Sequence, residues 1–209
     1  MIDAPLLAAV YHRPLAKVAP AVEPMREGLE LAEIRDEKRL AYWLAQVGHE
    51  SGHLKFTREI WGPTPAQRRY ERNPAQPWPA SLAESKRPAF AANRLAYGLG
   101  NAAAGDGKRY MGRGWIQTTG RANYVATRDR MRAALGANVP DFLAEPEKLE
   151  QLRWAALSAA VFWRWKGLNQ WADADDMVTL TKRINGGLNG LADRQTILAR
   201  AQGVLALAA

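Results

Sequence analysis

The sequence predicts an all-α, mostly helical fold, and three observations carry that expectation. Five stretches place apolar residues at helical spacing, and the breakers proline and glycine gather outside them. A hydrophobic content of 47% against 24% charged residues suits a chain that folds around a core. The 209 residues allow one domain of ordinary size or one domain with two lobes.

Asp36 can cap the first helix, in which Leu40, Trp43, Leu44 and Val47 fall at i, i+3, i+4 and i+7, and Gly52 should end it. The second starts after Thr119-Gly120 and ends at Gly136. The third, Leu149 to Lys166, is rich in Ala, Leu and Trp and apolar on several sides, which points to a central buried helix. Met177, Leu180, Thr181 and Ile184 mark the fourth, stopped by Gly186-Gly187. The last runs from about Leu191 to Leu207, with Leu191, Leu198, Ala201 and Leu205 on one side.

Two stretches between the first and second helices differ in texture. Five of the twelve prolines fall within 17 residues, so Gly62 to Ala80 is expected to be a long irregular loop, and loops of that length are more often functional than idle. Seven of the 17 glycines fall in residues 98–120, which include Tyr110-Met111-Gly112-Arg113-Gly114-Trp115-Ile116-Gln117, read as a short β-hairpin or an extended loop.

Composition removes several function classes. With no cysteine, a disulfide framework, a thiol nucleophile and cysteine ligation of zinc are excluded. No stretch approaches the roughly 20 apolar residues that span a bilayer. Ala4 to Tyr11 is short and follows Asp3 with no basic residue ahead of it, so a secretory signal is not expected. The net charge of +8 fits an anionic partner, either nucleic acid or a cell envelope, or serves solubility alone. The Lys and Arg residues are scattered and form no stripe, which weighs against a non-catalytic module that binds nucleic acid or cell wall.

The most informative residues are His49-Glu50-Ser51-Gly52-His53. They fit His-Glu-x-x-His, which on a helix sets two imidazoles one turn apart for zinc while the Glu polarises a metal-bound water. Gly52 sits where that helix must stay regular, and the only other histidine is His12, so this zinc-peptidase reading is the weaker one. The second reading starts from Glu50, which lies three residues after Val47 and seven after Trp43, on the apolar stripe of its helix. Partial desolvation there disfavours the charged form, as a general acid requires. Glu59 is its natural partner. On one continuous helix the two would lie about 13–14 Å apart on opposite faces, so the chain must turn at Ser51-Gly52. A short strand through Leu54, Phe56 and Arg58 can then carry Glu59 back. Two carboxylates across a cleft are the machinery of glycosidic bond cleavage, and the alternative is that Glu50 is a buried carboxylate paired with an arginine and Glu59 a surface charge.

These residues resemble a known family. Ala45-Gln46-Val47-Gly48-His49-Glu50-Ser51-Gly52 is similar to the Ala-x-x-x-His-Glu-Ser/Thr-Gly motif of glycoside hydrolase family 19, the chitinases of plants and bacteria with the related endolysins of phages infecting Gram-negative bacteria. Tyr110 to Gly120 followed by Asn123-Tyr124 resembles the family's Tyr-x-Gly-Arg-Gly-x-Ile-Gln-x-Ser/Thr and Asn-Tyr. Ile184-Asn185-Gly186-Gly187, then Asp193-Arg194, resembles its C-terminal block. The resemblance covers roughly Leu31 to Leu207 and is nearest the endolysin branch.

It implies a lysozyme-like fold with a cleft between two lobes, and inverting hydrolysis of the β-1,4 links between N-acetylmuramic acid and N-acetylglucosamine in peptidoglycan, with chitin as the alternative substrate. Glu50 matches the general acid, Glu59 the general base, and Thr119 the hydroxyl that helps hold the attacking water. Gln117, Asn123 and Asn185 match polar residues lining the sugar sites. Arg194 matches a basic residue paired with the acidic centre, and His49 a member of the active-site network that holds no metal. No cofactor is implied. The partners expected are peptidoglycan strands, with attraction to an anionic envelope, no nucleic acid, no membrane insertion and a monomeric chain. The resemblance also implies synthesis in a bacterial cytoplasm and action on the periplasmic wall after release, with no separate wall-binding module.

Seven of the eight Trp residues divide by location. Trp43, Trp154, Trp163 and Trp165 fall in expected helices and read as packing. Trp61, Trp78 and Trp115, with Tyr110, fall in loops beside the motifs, where an aromatic face can stack on a sugar ring.

Overall fold

The computed structural model describes residues 2–208. The chain forms α1 (Ala4–Tyr11), α2 (Leu15–Val18), α3 (Val22–Leu31) and α4 (Glu37–Glu50). Four short helices follow, α5 (Pro65–Arg68), α6 (Leu82–Ser85), α7 (Arg94–Gly98) and α8 (Asp106–Arg109). Then come α9 (Arg121–Leu135), α10 (Leu152–Trp165), α11 (Asn169–Asp173), α12 (Met177–Asn185) and α13 (Leu191–Ala208). Among the described residues no helix is long and apolar enough to cross a membrane. The chain divides into two compact units. One holds the residues up to Thr57, Gly114–Ile116 and everything from Gln151 onward, and the other holds Arg58–Arg113 and Gln117–Glu150.

The first unit is built around α4. The Asp36 side chain accepts from Arg39 N at 2.8 Å, the cap expected from the sequence, and the stripe Leu40, Trp43, Leu44 and Val47 is buried as expected. The helix runs against α13, while α10 runs against α3. Trp43 and Trp163 are both fully buried and meet edge-on at 5.3 Å, so these two aromatics are core. α4 ends at Glu50, two residues before the expected Gly52, because Ser51 turns its hydroxyl back onto the Val47 carbonyl at 2.6 Å and accepts from Leu54 N at 2.8 Å.

Other boundaries shift for local reasons. α10 begins at Leu152, since residues 146–150 form a 3₁₀ turn that starts on Pro146. Trp165, expected to pack, is 52% exposed with Lys166 over its ring, and Trp154 is only half-buried beneath Arg153. On α13 the buried line is Arg194, Ile197, Ala201 and Leu205, while Leu191 and Leu198 lie half-buried at its edge. Helices α1 to α3 precede the first stripe read from the sequence. Asp3 caps α1 by accepting from Leu6 N at 2.8 Å, and Leu7 and Val10 are fully buried.

The second unit holds α5 to α9, of which only α9 is long, and buried polar side chains tie its loops. Asn93, fully buried, accepts from Asn73 N and donates to the carbonyls of Asn73, Gln76 and Pro77, at 2.7–3.1 Å. A loop that buries backbone must find such partners. The irregular stretch expected over 62–80 contains one helical turn, α5, capped by Thr64 with Pro65 at its first position, where proline is tolerated. No named strand forms among the described residues. The stretch read as a short hairpin or an extended loop keeps only an isolated antiparallel bridge between Arg113 and Thr118, and the expected strand through Arg58 only a second bridge between Arg58 and Arg113.

Candidate active site

In the first unit, the His-Glu motif at the end of α4 meets the C-terminal block on α13. Arg194 is 1% exposed, and its guanidinium donates to the Glu50 carboxylate and to Gln46 Oε1. Gln46 is itself fully buried and donates to Thr181 Oγ1 at 3.3 Å and to the Met177 sulfur at 2.9 Å. A chain of contacts thus runs from α12 through α4 to α13 and ends on Glu50, whose side chain is 17% exposed. The partial burial expected for Glu50 is present, and an arginine accompanies it. Beside it, His49 Nδ1 lies 2.6 Å from Asp193 Oδ2.

The zinc geometry does not form. The backbone leaves the helix at Ser51, and Gly52, His53 and Leu54 all take positive φ, +58°, +62° and +60°. His53 therefore leaves the helical face that His49 occupies. Its ring stacks on Tyr11 at 5.7 Å, and its Nδ1 lies 3.2 Å from the Tyr11 carbonyl. The turn predicted between Glu50 and Glu59 is this left-handed run.

In the second unit, Glu59 is held by hydrogen bonds from two separate segments. Gly112 N donates to Oε1 at 2.6 Å and Gln67 Nε2 to Oε2 at 3.0 Å, while Glu59 N donates to the Gly112 carbonyl at 2.9 Å. The same Gly112 borders Gln117 and Thr119, since a Cβ added there would lie 2.8 Å from Gln117 Oε1 and 3.1 Å from Thr119 Oγ1. Thr119 donates its hydroxyl proton to the Gln117 carbonyl at 2.8 Å, so toward a water it is an acceptor. Asn123 donates to the Thr119 carbonyl at 2.7 Å. Burial, and then the Glu59 charge, push the Tyr70 hydroxyl up from its ordinary value, which keeps it a neutral phenol.

The Tyr-x-Gly-Arg-Gly segment frames this group. Arg113 is buried and donates to Glu150 at 2.8 Å, to the Arg109 carbonyl at 2.7 Å and to the Tyr124 hydroxyl at 2.9 Å, which fixes the loop that carries Gly112. Two expectations are corrected here. Tyr110 is 2% exposed, its ring edge-on to Tyr124 at 5.2 Å and its hydroxyl donating to the Leu143 carbonyl at 3.3 Å, so it offers no face to a sugar. Trp115 is fully buried and belongs to the apolar core of the first unit. Asn185, in the first unit, is exposed at the end of α12, where it donates to the Asn189 carbonyl and accepts from Gly187 N.

Over 174 residues the chain is 34% identical to a glycosyl hydrolase family 19 domain-containing protein of Haemophilus influenzae, a match covering 79% of this chain and 80% of that protein. The chain belongs to glycoside hydrolase family 19. No protein-family model matches it. Chitinase C from Streptomyces griseus HUT6037 superposes with a TM-score of 0.60 at 20% identity, covering 98% of this chain and 92% of that one. A mutant of chitinase C gives 0.61 at 19% identity, with 98% and 76% covered. These likenesses establish the fold, the all-α chitinase and lysozyme-like arrangement expected from the sequence. As a family 19 hydrolase the protein is a glycosidase, and the readings as a zinc peptidase or a non-catalytic basic module fall away.

Three contacts in this family 19 hydrolase escaped the sequence. Gln46 sits one turn before Glu50, a spacing that places both on one helix face. Thr64-x-x-Gln67 is a capping-box pattern inside the proline-rich stretch, and it gives the location of Gln67 though not its contact with Glu59. The closeness of Gly190 to His49 has no signal in a single sequence.

Proposed function

We propose that this glycoside hydrolase is an endolysin that cleaves the β-1,4 links between N-acetylmuramic acid and N-acetylglucosamine in peptidoglycan with inversion. The observation that carries the mechanism is the carboxylate of Glu59, fixed by the Gly112 and Gln67 donors, with Thr119, an acceptor toward water, bordering the same Gly112. A water between two acceptors directs both its protons at them and turns a lone pair toward the anomeric carbon. Glu59 takes one proton as the C–O bond to water forms. Glu50 gives its proton to the departing glycosidic oxygen as the old bond breaks. Arg194 occupies Glu50 Oε1, which leaves Oε2 to carry that proton. Inversion requires the two carboxyl groups to act on opposite sides of one bond. Gln117, Asn123 and Asn185 supply amides suited to N-acetyl and hydroxyl groups.

The net charge of +8 favours peptidoglycan, whose peptide stems carry carboxylates, over neutral chitin. The fold likeness to chitinase C favours chitin as the second reading. Digestion of purified peptidoglycan and of chitin oligomers, with mass spectrometry of the new reducing ends, separates the two. A muramic acid reducing end supports the endolysin, and turnover of chitin alone overturns it. Glu50→Gln should abolish release of reducing ends, and clearing at close to the wild-type rate would remove Glu50 from the mechanism.

A further inference from the structure

We infer that Gln67, in the first turn of the proline-rich stretch, is a positioning residue that holds the Glu59 carboxylate for catalysis. The inference rests on Glu59 being the base. Gln67 is 6% exposed and every polar atom of its side chain is engaged. Its Oε1 accepts from Gly62 N at 3.1 Å and Thr64 N at 2.8 Å, while its Nε2 donates to Glu59 Oε2 at 3.0 Å and to the Ile60 carbonyl at 2.9 Å. The acceptor end therefore staples the loop, and the donor end grips the carboxylate.

Proline supplies the means. Pro65 stands at the first helical position of α5, and Thr64 accepts from Gln67 N at 3.2 Å, which closes the capping box. A turn of four residues, fixed at both ends, sets the Gln67 side chain without a long helix. The loop following Glu59 thus folds back on it, and the carboxylate is clamped between this turn and Gly112 N. Without Gln67 one oxygen loses its donor, and the carboxylate is free to rotate away from the attacking water. A misplacement of about 1 Å at a reacting group can reduce rate on the order of 100-fold.

The two ends of the side chain make the idea testable, because Gln67→Glu separates them. Glutamate at this position of a capping box still accepts from the backbone, so the loop staple is kept. The donor to Glu59 is replaced by a second carboxylate oxygen. That oxygen would face both Glu59 Oε2 and the Ile60 carbonyl, so Gln67→Glu should lower the melting temperature as well, keep KM within about twofold and lower kcat on the order of 10- to 100-fold. Gln67→Met, which lacks both ends, should lower kcat and loosen the loop together. Near-wild-type kcat in Gln67→Glu would overturn the inference. Glu59→Ala distinguishes this from failure of the underlying reading: if it retains wild-type turnover, Glu59 is not the base. If Glu59→Ala is inactivated to a measurable residual rate, adding Gln67→Glu should change that residue of activity little. A further independent loss would assign Gln67 to another role.

Discussion

The imidazole of His49 lies against the Gly190 backbone so closely that a Cβ built there would sit 2.1 Å from both Cε1 and Nε2. Gly190 also holds φ at +73°, a conformation that side chains with a Cβ rarely adopt. The ring cannot yield freely, because its Nδ1 is tied to Asp193 at 2.6 Å. Gly190→Ala should therefore displace His49, destabilise the first unit by about 2–3 kcal/mol and reduce turnover with it. Urea unfolding and a reducing-end assay on the same preparation check both effects. Unchanged stability would mean that the loop before α13 moves aside at little cost.

The acidic pH limit should involve Asp106 in the second unit, whose side chain is 3% exposed. Burial pushes its carboxyl up. Hydrogen bonds from Arg121 at 2.6 and 2.9 Å and from Ala103 N at 3.0 Å, with the Arg121 charge, more than offset this and leave it below the usual carboxylate range. Between the folded and unfolded values the unfolded chain binds more protons, so stability rises with pH there. The contribution is complete above about pH 4 and is lost as pH falls through the folded value. Asp106→Asn should cost about 1–2 kcal/mol at neutral pH, Arg121 being partly exposed, and should make the decline below about pH 4 shallower. Denaturation midpoints at pH 3 and pH 6 for both proteins give the comparison, and parallel declines would exclude Asp106.

The helices were legible in the sequence wherever one face met a core. Asp36 with the Leu40, Trp43, Leu44 and Val47 stripe gave α4 its start and its buried side, because cap and period agree with the packing. On α13 the expected face of Leu191, Leu198, Ala201 and Leu205 is buried only at Ala201 and Leu205, because the buried line runs back through Ile197 to Arg194. A charged residue in an apolar stripe is not counted as apolar, and only its partners Gln46 and Glu50, 148 and 144 residues earlier, explain it. Glu50 and Glu59 stood out by their motif and spacing. Arg194, the support of Glu50, was matched through the C-terminal block, but the supports of Glu59 were not, since Gln67 reaches it through a side chain and Gly112 through a backbone N–H, neither of which leaves a pattern in one sequence. Tyr110 and Trp115 are buried for a related reason: a glycine-rich segment suggests an exposed loop, but Arg113 anchors this one from within.

Gly112 offers a contrast to Gly190, because here the space is needed and the conformation is ordinary. An added Cβ would come within 2.8 Å of Gln117 Oε1 and 3.1 Å of Thr119 Oγ1, and both are ends of side chains. They can swing away, so Gly112→Ala should change stability by no more than about 1 kcal/mol. Catalysis has less tolerance. The hydroxyl of Thr119 is set by its bond to the Gln117 carbonyl, and displacing either group moves the second anchor of the water that Glu59 is to deprotonate. A loss on the order of 10-fold in kcat is expected, with KM changed less unless Gln117 also holds the sugar in the ground state. Steady-state kinetics on a defined oligosaccharide, beside a melting curve, reads both quantities. A variant that melts as the wild type but turns over slowly marks Gly112 as making room for the water site, whereas equal losses of stability and rate would reduce it to a packing residue.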